Sequence, residues 1–175
     1  ERLAETAPVR LPSEVLDKIV EGLVRNAVEN TPDGGEVRVS VRQGADGPEL
    51  EVADTGTGMT DEAQSLVFAH FFAGSDPGAY ATRRPYDFKA GGRGFDLLRL
   101  QILSERYGFT LRLASRRCPA VPTDRDLCPG DTRLCGALPD PAECRDRGGT
   151  VVRVTLPPVD AAAGDRAPES GADRP

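Results

Sequence analysis

The feature that most constrains this chain is a helix that has to stop abruptly and give way to a hairpin. After Pro12 and Ser13, the apolar residues Val15, Leu16, Ile19, Val20, Leu23, Val24 and Ala27 recur at three- and four-residue spacing. That spacing predicts an amphipathic helix from about Glu14 to Asn30. Thr31-Pro32-Asp33-Gly34-Gly35 ends it, because proline cannot donate into the helical ladder and a glycine pair permits reversal. Val37, Val39 and Val41 then alternate with polar residues, Gln43 to Pro48 turns the chain, and Leu50 and Val52 resume the alternation up to Ala53. This is a hairpin with one polar face.

Further along, Thr60 and Asp61 predict a capped short helix through about Phe68. Ala73 to Gly92 carries glycine, proline and charge with no sustained period and reads as a long loop. From Phe95 to Arg106 the apolar positions cover so much of the circumference that the helix is expected to be buried on several sides. Phe109, Leu111 and Leu113 predict one strand, and Val152, Val154 and Leu156 another. An interruption from about Ser115 to Gly149 separates them, in which six Arg balance six Asp or Glu. After Pro157-Pro158 the residues are too poor in apolar groups to order themselves.

With 175 residues, 38% hydrophobic and 29% charged, the chain suits one globular domain with a tail. Its 22 Lys and Arg against 28 Asp and Glu leave a net charge of −6, which argues against a nucleic-acid partner. No stretch approaches the roughly 18 apolar residues of a membrane span, and Glu1 to Arg10 lacks the basic-then-apolar order of a signal peptide. Opening on Glu1, the chain reads as a piece of a longer protein.

Three short motifs carry chemistry. Asn26 and Asn30 lie one turn apart on the first helix, so their amides share a face. A carboxamide oxygen suits a hard cation such as Mg²⁺, which keeps waters and bridges few protein ligands. The plainer reading has Asn30 capping the helix and Asn26 solvated. Next, Asp54-Thr55-Gly56-Thr57-Gly58-Met59 follows a strand. A carboxylate placed there can accept from an exocyclic amine, and the glycines admit a flat ring, although Asp-Thr-Gly is also a common turn. Lastly, Lys89-Ala90-Gly91-Gly92-Arg93-Gly94-Phe95 feeds a helix, and such a junction offers backbone amides and a positive dipole end to phosphate, or is a simple helix start.

In this order and spacing, the three motifs resemble those of the GHKL ATPase superfamily, which joins DNA gyrase, heat-shock chaperones, histidine kinases and MutL. Asn-Ala-x-x-x-Thr-Pro-x-Gly-Gly is most similar to the N box of histidine kinases, Asp54 to Met59 to their first glycine box, and Gly92-x-Gly94 to the second. Val67 to Phe72 is similar to the phenylalanine box. The resemblance implies an α+β Bergerat fold, a two-layer sandwich in which a mixed, mostly antiparallel sheet is backed by helices. Residues 1–12 form a lead-in, 13–157 the ATP-binding domain, 73–92 the ATP lid, 115–149 an insertion and 158–175 a tail. It also implies ATP and Mg²⁺ as the bound groups. Asn26 would hold Mg²⁺ as the catalytic ligand and Asn30 would line the phosphates. Asp54 would accept from adenine, and Gly56, Gly58 and Met59 would border the ring. Lys89, Gly92, Arg93 and Gly94 would face the phosphates.

The chain departs from the family pattern at three places. The water-activating glutamate of hydrolytic members falls at Gly22, and Glu21 is rotated about 100° from it. Asp96 stands where a third glycine is expected, and its charge near the triphosphate needs a cation such as Arg93 or Arg99 beside it. The single histidine, His70, sits among apolar residues and is expected to be structural, so a phosphoacceptor histidine has to lie elsewhere.

All four cysteines, Cys118, Cys128, Cys135 and Cys144, fall in the insertion. Their spacing matches no common zinc knuckle or ferredoxin run. A proline-rich segment with little apolar content still needs closure, from a four-thiolate metal site or from disulfides. Because a nucleotide-dependent kinase domain works where thiols stay reduced, zinc is expected first and an iron–sulfur cluster second, with disulfides or free thiols as alternatives. Coupling to the rest of the domain is expected through the flanking strands.

The resulting expectation is the ATP-binding catalytic domain of a two-component sensor histidine kinase, cytoplasmic and without direct membrane contact. It would pass a γ-phosphate to a histidine on dimerisation helices outside the segment and, from there, to a response regulator. The alternatives are a serine kinase of the anti-sigma-factor type, and a degenerate non-catalytic module that senses metal or redox state.

Overall fold

The computed structural model describes residues 2–67, 81–84, 96–123, 125–137 and 140–159. The first helix, α1 (Ser13–Asn30), carries the stripe that its spacing predicts: Val15, Ile19, Leu23 and Ala27 are buried. Strands β2 (Val37–Gln43) and β3 (Pro48–Asp54) form the expected hairpin, with Val39 opposite Val52 and Val37 opposite Asp54. Helix α2 (Asp61–Leu66) is capped by Thr60, whose side chain accepts from the Ala63 N–H. Helix α3 spans Asp96–Tyr107, β4 spans Thr110–Arg116 and β5 spans Gly149–Thr155.

The strands form one five-stranded sheet in the order β1-β2-β3-β5-β4. It is mixed because β1 (Arg2–Leu3) runs parallel to β2, while every other pairing is antiparallel. Helices α1 and α3 cover one face, and the core lies between the layers, with Ile19, Leu23, Leu100 and Val154 fully buried. Each such side chain contributes about 1.5–3 kcal/mol by leaving water. The fold is thus the α+β sandwich of the resemblance.

Three expectations change. Helix α3 is buried on one side only: Leu97, Leu100 and Ser104 face the core, whereas Ile102 is 56% exposed. Among the described elements α3 packs on α1 and β4. The lead-in is tied to the sheet: besides β1, Arg10 donates to the Pro157 carbonyl and Val159 to that of Pro8. This places Pro158 and Val159 with the domain instead of with a tail. The phenylalanine box from Phe68 onward, His70, most of the expected lid and the rest of the tail lie outside the described residues.

Candidate functional site

The site forms where the C-terminal end of α1 meets the end of β3. In β3, residues 48, 50, 52 and 54 share the buried face, as strand periodicity requires. Asp54 is therefore a carboxylate on the core side of a central strand, beside Leu50 and Val52. Its Oδ1 accepts from the Gly56 N–H at 2.9 Å and from the Thr150 N–H, across in β5, at 3.2 Å. Oδ2 has no partner among the described residues. Since no fully buried side-chain oxygen or nitrogen lacks a partner there, Oδ2 opens outward. Burial raises the Asp54 carboxyl to about 6 from 3.8, against the lowering effect of the Gly56 and Thr150 N–H groups.

The loop after Asp54 is pressed against α1. The Thr57 N–H donates to the Asn30 carbonyl at 3.0 Å. A Cβ on Gly56 would come within 2.1 Å of that same carbonyl oxygen, so only glycine admits this approach. Gly58 has φ +64, and its Cβ would strike the Arg116 carbonyl. Met59 packs at the edge of the core, its N–H donating to Ser115 Oγ.

On α1, Asn30 Nδ2 donates to the Asn26 carbonyl at 2.8 Å and lies 3.5 Å from Asn26 Oδ1. Asn30 is thus turned back along its helix, and the C-cap is Thr31. Asn26 is half-buried, with its carboxamide oxygen only weakly engaged. One such oxygen is the donor that Mg²⁺ takes alongside water and phosphate, so the residue fits the ion. From Asn26 through Asn30 and Gly56 to Asp54 the contacts are continuous.

The start of α3 completes this neighbourhood. A Cβ on Gly22 would lie 3.7 Å from Asp96 Cβ, and Arg25 Nη1 lies 3.6 Å from Asp96 Oδ2. The positive end of the α3 dipole therefore stands one turn before Asn26. Asp96 is offset by Arg25 as well as by Arg99 at 4.0 Å. Arg25 and Thr150 are the site residues that sequence reasoning missed. Arg25 had a signal, its place next to Asn26, whereas Thr150 is recruited only by the β3–β5 register. Gly22 is buried and Glu21 exposed, so Glu21 cannot substitute for the absent base. Lys89, Gly92, Arg93 and Gly94 lie outside the described residues.

The expected metal centre at the four cysteines finds no support among the described residues. All four are free thiols, and among the described residues no group of three or more His, Cys, Asp or Glu could hold a metal ion. Burial pushes the Cys128 and Cys144 thiols up, with the neighbouring cysteines adding to the shift. Among the described residues zinc and an iron–sulfur cluster are therefore without support. Among the described residues the insertion is closed by polar side chains. Arg117 donates to the carbonyls of Val121 and Thr123, Asp126 accepts from Thr123, Asp131 from Arg133 and Asp140 from Ala142.

Comparison with known proteins bears on the family and the fold. The family model described as histidine kinase-, DNA gyrase B- and HSP90-like ATPase matches residues 13–160. The chain is 32% identical to sensor histidine kinase Hik2 of Thermosynechococcus vestitus over 62% of its own length and 26% of that protein's. It is also 32% identical to sensor-like histidine kinase SenX3 of Mycobacterium tuberculosis, over 54% of its own length and 21% of the relative's. The chain thus spans about a quarter of the curated relatives it matches. Among solved structures, mycobacterial sensor histidine kinase MprB superposes with a TM-score of 0.52 at 21% identity, covering 90% of this chain and 80% of that one. The catalytic domain of histidine kinase ThkA gives 0.53 at 13% identity, covering 85% and 70%. These likenesses bear on the fold.

Proposed function

The chain belongs to the histidine kinase-, DNA gyrase B- and HSP90-like ATPase family, and from that premise we propose that it is the Mg-ATP-binding catalytic domain of a sensor histidine kinase. The names of the curated relatives support this reading over a serine kinase or a degenerate module. The observation that carries it is the split role of Asp54: Oδ1 is fixed by two backbone N–H groups, and Oδ2 is left to accept from the adenine amine. Gly56 and Gly58 leave room for the ring. Asn26 would offer its oxygen to Mg²⁺, which when bound would neutralise phosphate charge. Asn30, Met59, Lys89, Gly92, Arg93 and Gly94 would complete the walls, as the resemblance implies.

In this reading the protein's contribution to phosphoryl transfer is positioning and electrostatics. With Gly22 in place of the glutamate, no side chain at that position activates water, which favours transfer to a protein acceptor over hydrolysis. The acceptor histidine on dimerisation helices, the response regulator and the cytoplasmic location belong to the same proposal. Among the described residues no helix is long and apolar enough to cross a membrane.

Titration with a fluorescent ATP analogue tests the assignment. Asp54→Ala is expected to weaken binding by tenfold or more, and Asn26→Ala to remove its dependence on Mg²⁺. Undiminished binding in both variants would remove these roles.

A further inference from the structure

The insertion does not couple to the domain only through its flanking strands. It docks directly on both loops that border the site. The Asp33 N–H donates to the Gly130 carbonyl at 3.0 Å, and the Thr132 N–H donates back to the Asp33 carbonyl at 2.9 Å. The insertion thus adds a strand-like bridge to the turn that ends α1. Arg145 reaches the neighbouring Gly34 carbonyl through Nε at 3.3 Å and Nη2 at 3.2 Å. At the other loop, Arg117 Nη1 donates to the Gly58 carbonyl at 2.9 Å and the Cys118 N–H to that of Thr57 at 2.8 Å.

Asp33 also holds a third segment. Its Oδ1 accepts from Thr82 Oγ1 at 2.8 Å, and Arg84 Nε lies 3.7 Å from Oδ2. Ala81 and Thr82, both buried, donate their N–H groups to the Glu29 carbonyl. Gly130 packs closely on this segment: a Cβ there would come within 2.6 Å of Arg83 Cγ.

We propose that the insertion is a hydrogen-bonded clamp, with Asp33 at its centre, that positions both nucleotide-bordering loops and anchors Ala81–Arg84 to the end of α1. Thr132, Arg117 and Asp33 are positioning residues, and the clamp is held by this junction and not by metal or disulfide. The positioning role rests on the ATP reading, whereas the anchoring role does not.

The test uses Thr132→Pro and Asp33→Ala. Thr132 is the first residue of a 3₁₀ turn, preceded by Asp131 at φ −149 and ψ 128, a place that tolerates proline on both sides of the peptide bond. Thr132→Pro therefore keeps the turn, deletes the donor to Asp33 and sets the ring Cδ against the Asp33 carbonyl, parting the bridge. Asp33→Ala releases Thr82 and Arg84 while keeping the backbone bridge. Hydrogen exchange on the ligand-free protein is expected to show faster exchange at Ala81 and Thr82 in both variants. The affinity for the fluorescent ATP analogue is expected to fall at least about threefold in Thr132→Pro, since the loss of a hydrogen bond is joined by the parting of the bridge. A reductant and a zinc-selective chelator are expected to leave the parent unchanged in both measurements. Unchanged exchange in the variants overturns the anchoring, and unchanged affinity overturns the positioning. A parent that loses protection with the chelator or the reductant shows that metal or disulfide holds the insertion, contrary to the proposal. A parent that binds no nucleotide removes the ATP reading and the positioning role with it, and leaves the exchange result to decide the clamp.

Discussion

Asp54 is where a single residue links burial to recognition. A carboxyl raised from 3.8 to about 6 by burial holds more protons in the folded state than in the unfolded one between those values. Stability therefore falls as pH rises through that window, and above it the ionised group costs about 3 kcal/mol. Asp54→Asn keeps an oxygen for Gly56 and Thr150 and removes the charge. Urea denaturation is expected to show this variant more stable than the parent by up to about 3 kcal/mol at pH 7, with the difference vanishing near pH 4. Binding moves the other way, because an amine donor needs the ionised form: the affinity of the parent for an ATP analogue should fall as pH drops below about 6 and level off above it. The same titration on Asp54→Asn should be weak throughout and lack this step, which separates the carboxyl from the titration of the phosphates. A parent profile that is flat from pH 5 to 7 would disconnect Asp54 from the ligand.

Between elements, the decisive joint is the contact of the Asp54–Gly58 loop with the end of α1. With a Cβ only 2.1 Å from a backbone oxygen, Gly56→Ala has to push the loop off the helix and break the bond from Thr57 to Asn30. A stability loss of about 1–3 kcal/mol, typical of overpacking, is expected, read as a lowered Tm, together with loss of nucleotide binding. This joint shows what was legible and why. The helix, the hairpin and the strands from 110 and 149 announced themselves because each buries one face, and a one-sided burial leaves a period in the sequence. Asp54 and Asn26 were legible as a pair only through the order of motifs. The short β1 has two residues and so no period to read. Helix α3 was misjudged because leucines and isoleucines look alike whether they face the core or, like Ile102, solvent. Thr150 and Arg25 join the site through register and helix packing, which residue types alone do not encode.

At the scale of the molecule, the insertion is an appendage to a sheet that is complete without it. The β4–β5 ladder runs unbroken from Thr110↔Thr155 to Arg116↔Gly149, so the chain leaves and rejoins the sheet at adjacent positions. Among the described residues, none of the main core cluster lies between 117 and 148. Low apolar content hides how the segment closes, because here arginine and aspartate side chains tie the loop onto backbone carbonyls and N–H groups. Replacing residues 117–148 by Asn-Gly, the two-residue turn that suits an antiparallel hairpin, is therefore expected to leave a protein that unfolds in one cooperative transition, with Tm within about 5 °C of the parent. Its sheet and helices should persist by circular dichroism, since the layers that bury Ile19, Leu23, Leu100 and Val154 are untouched. Nucleotide affinity should nonetheless drop, because the Thr57–Gly58 and Asp33–Gly34 loops lose the partners that hold them. Loss of the cooperative transition would make the insertion part of the core, and an unaltered affinity would mean that the loops hold their shape alone.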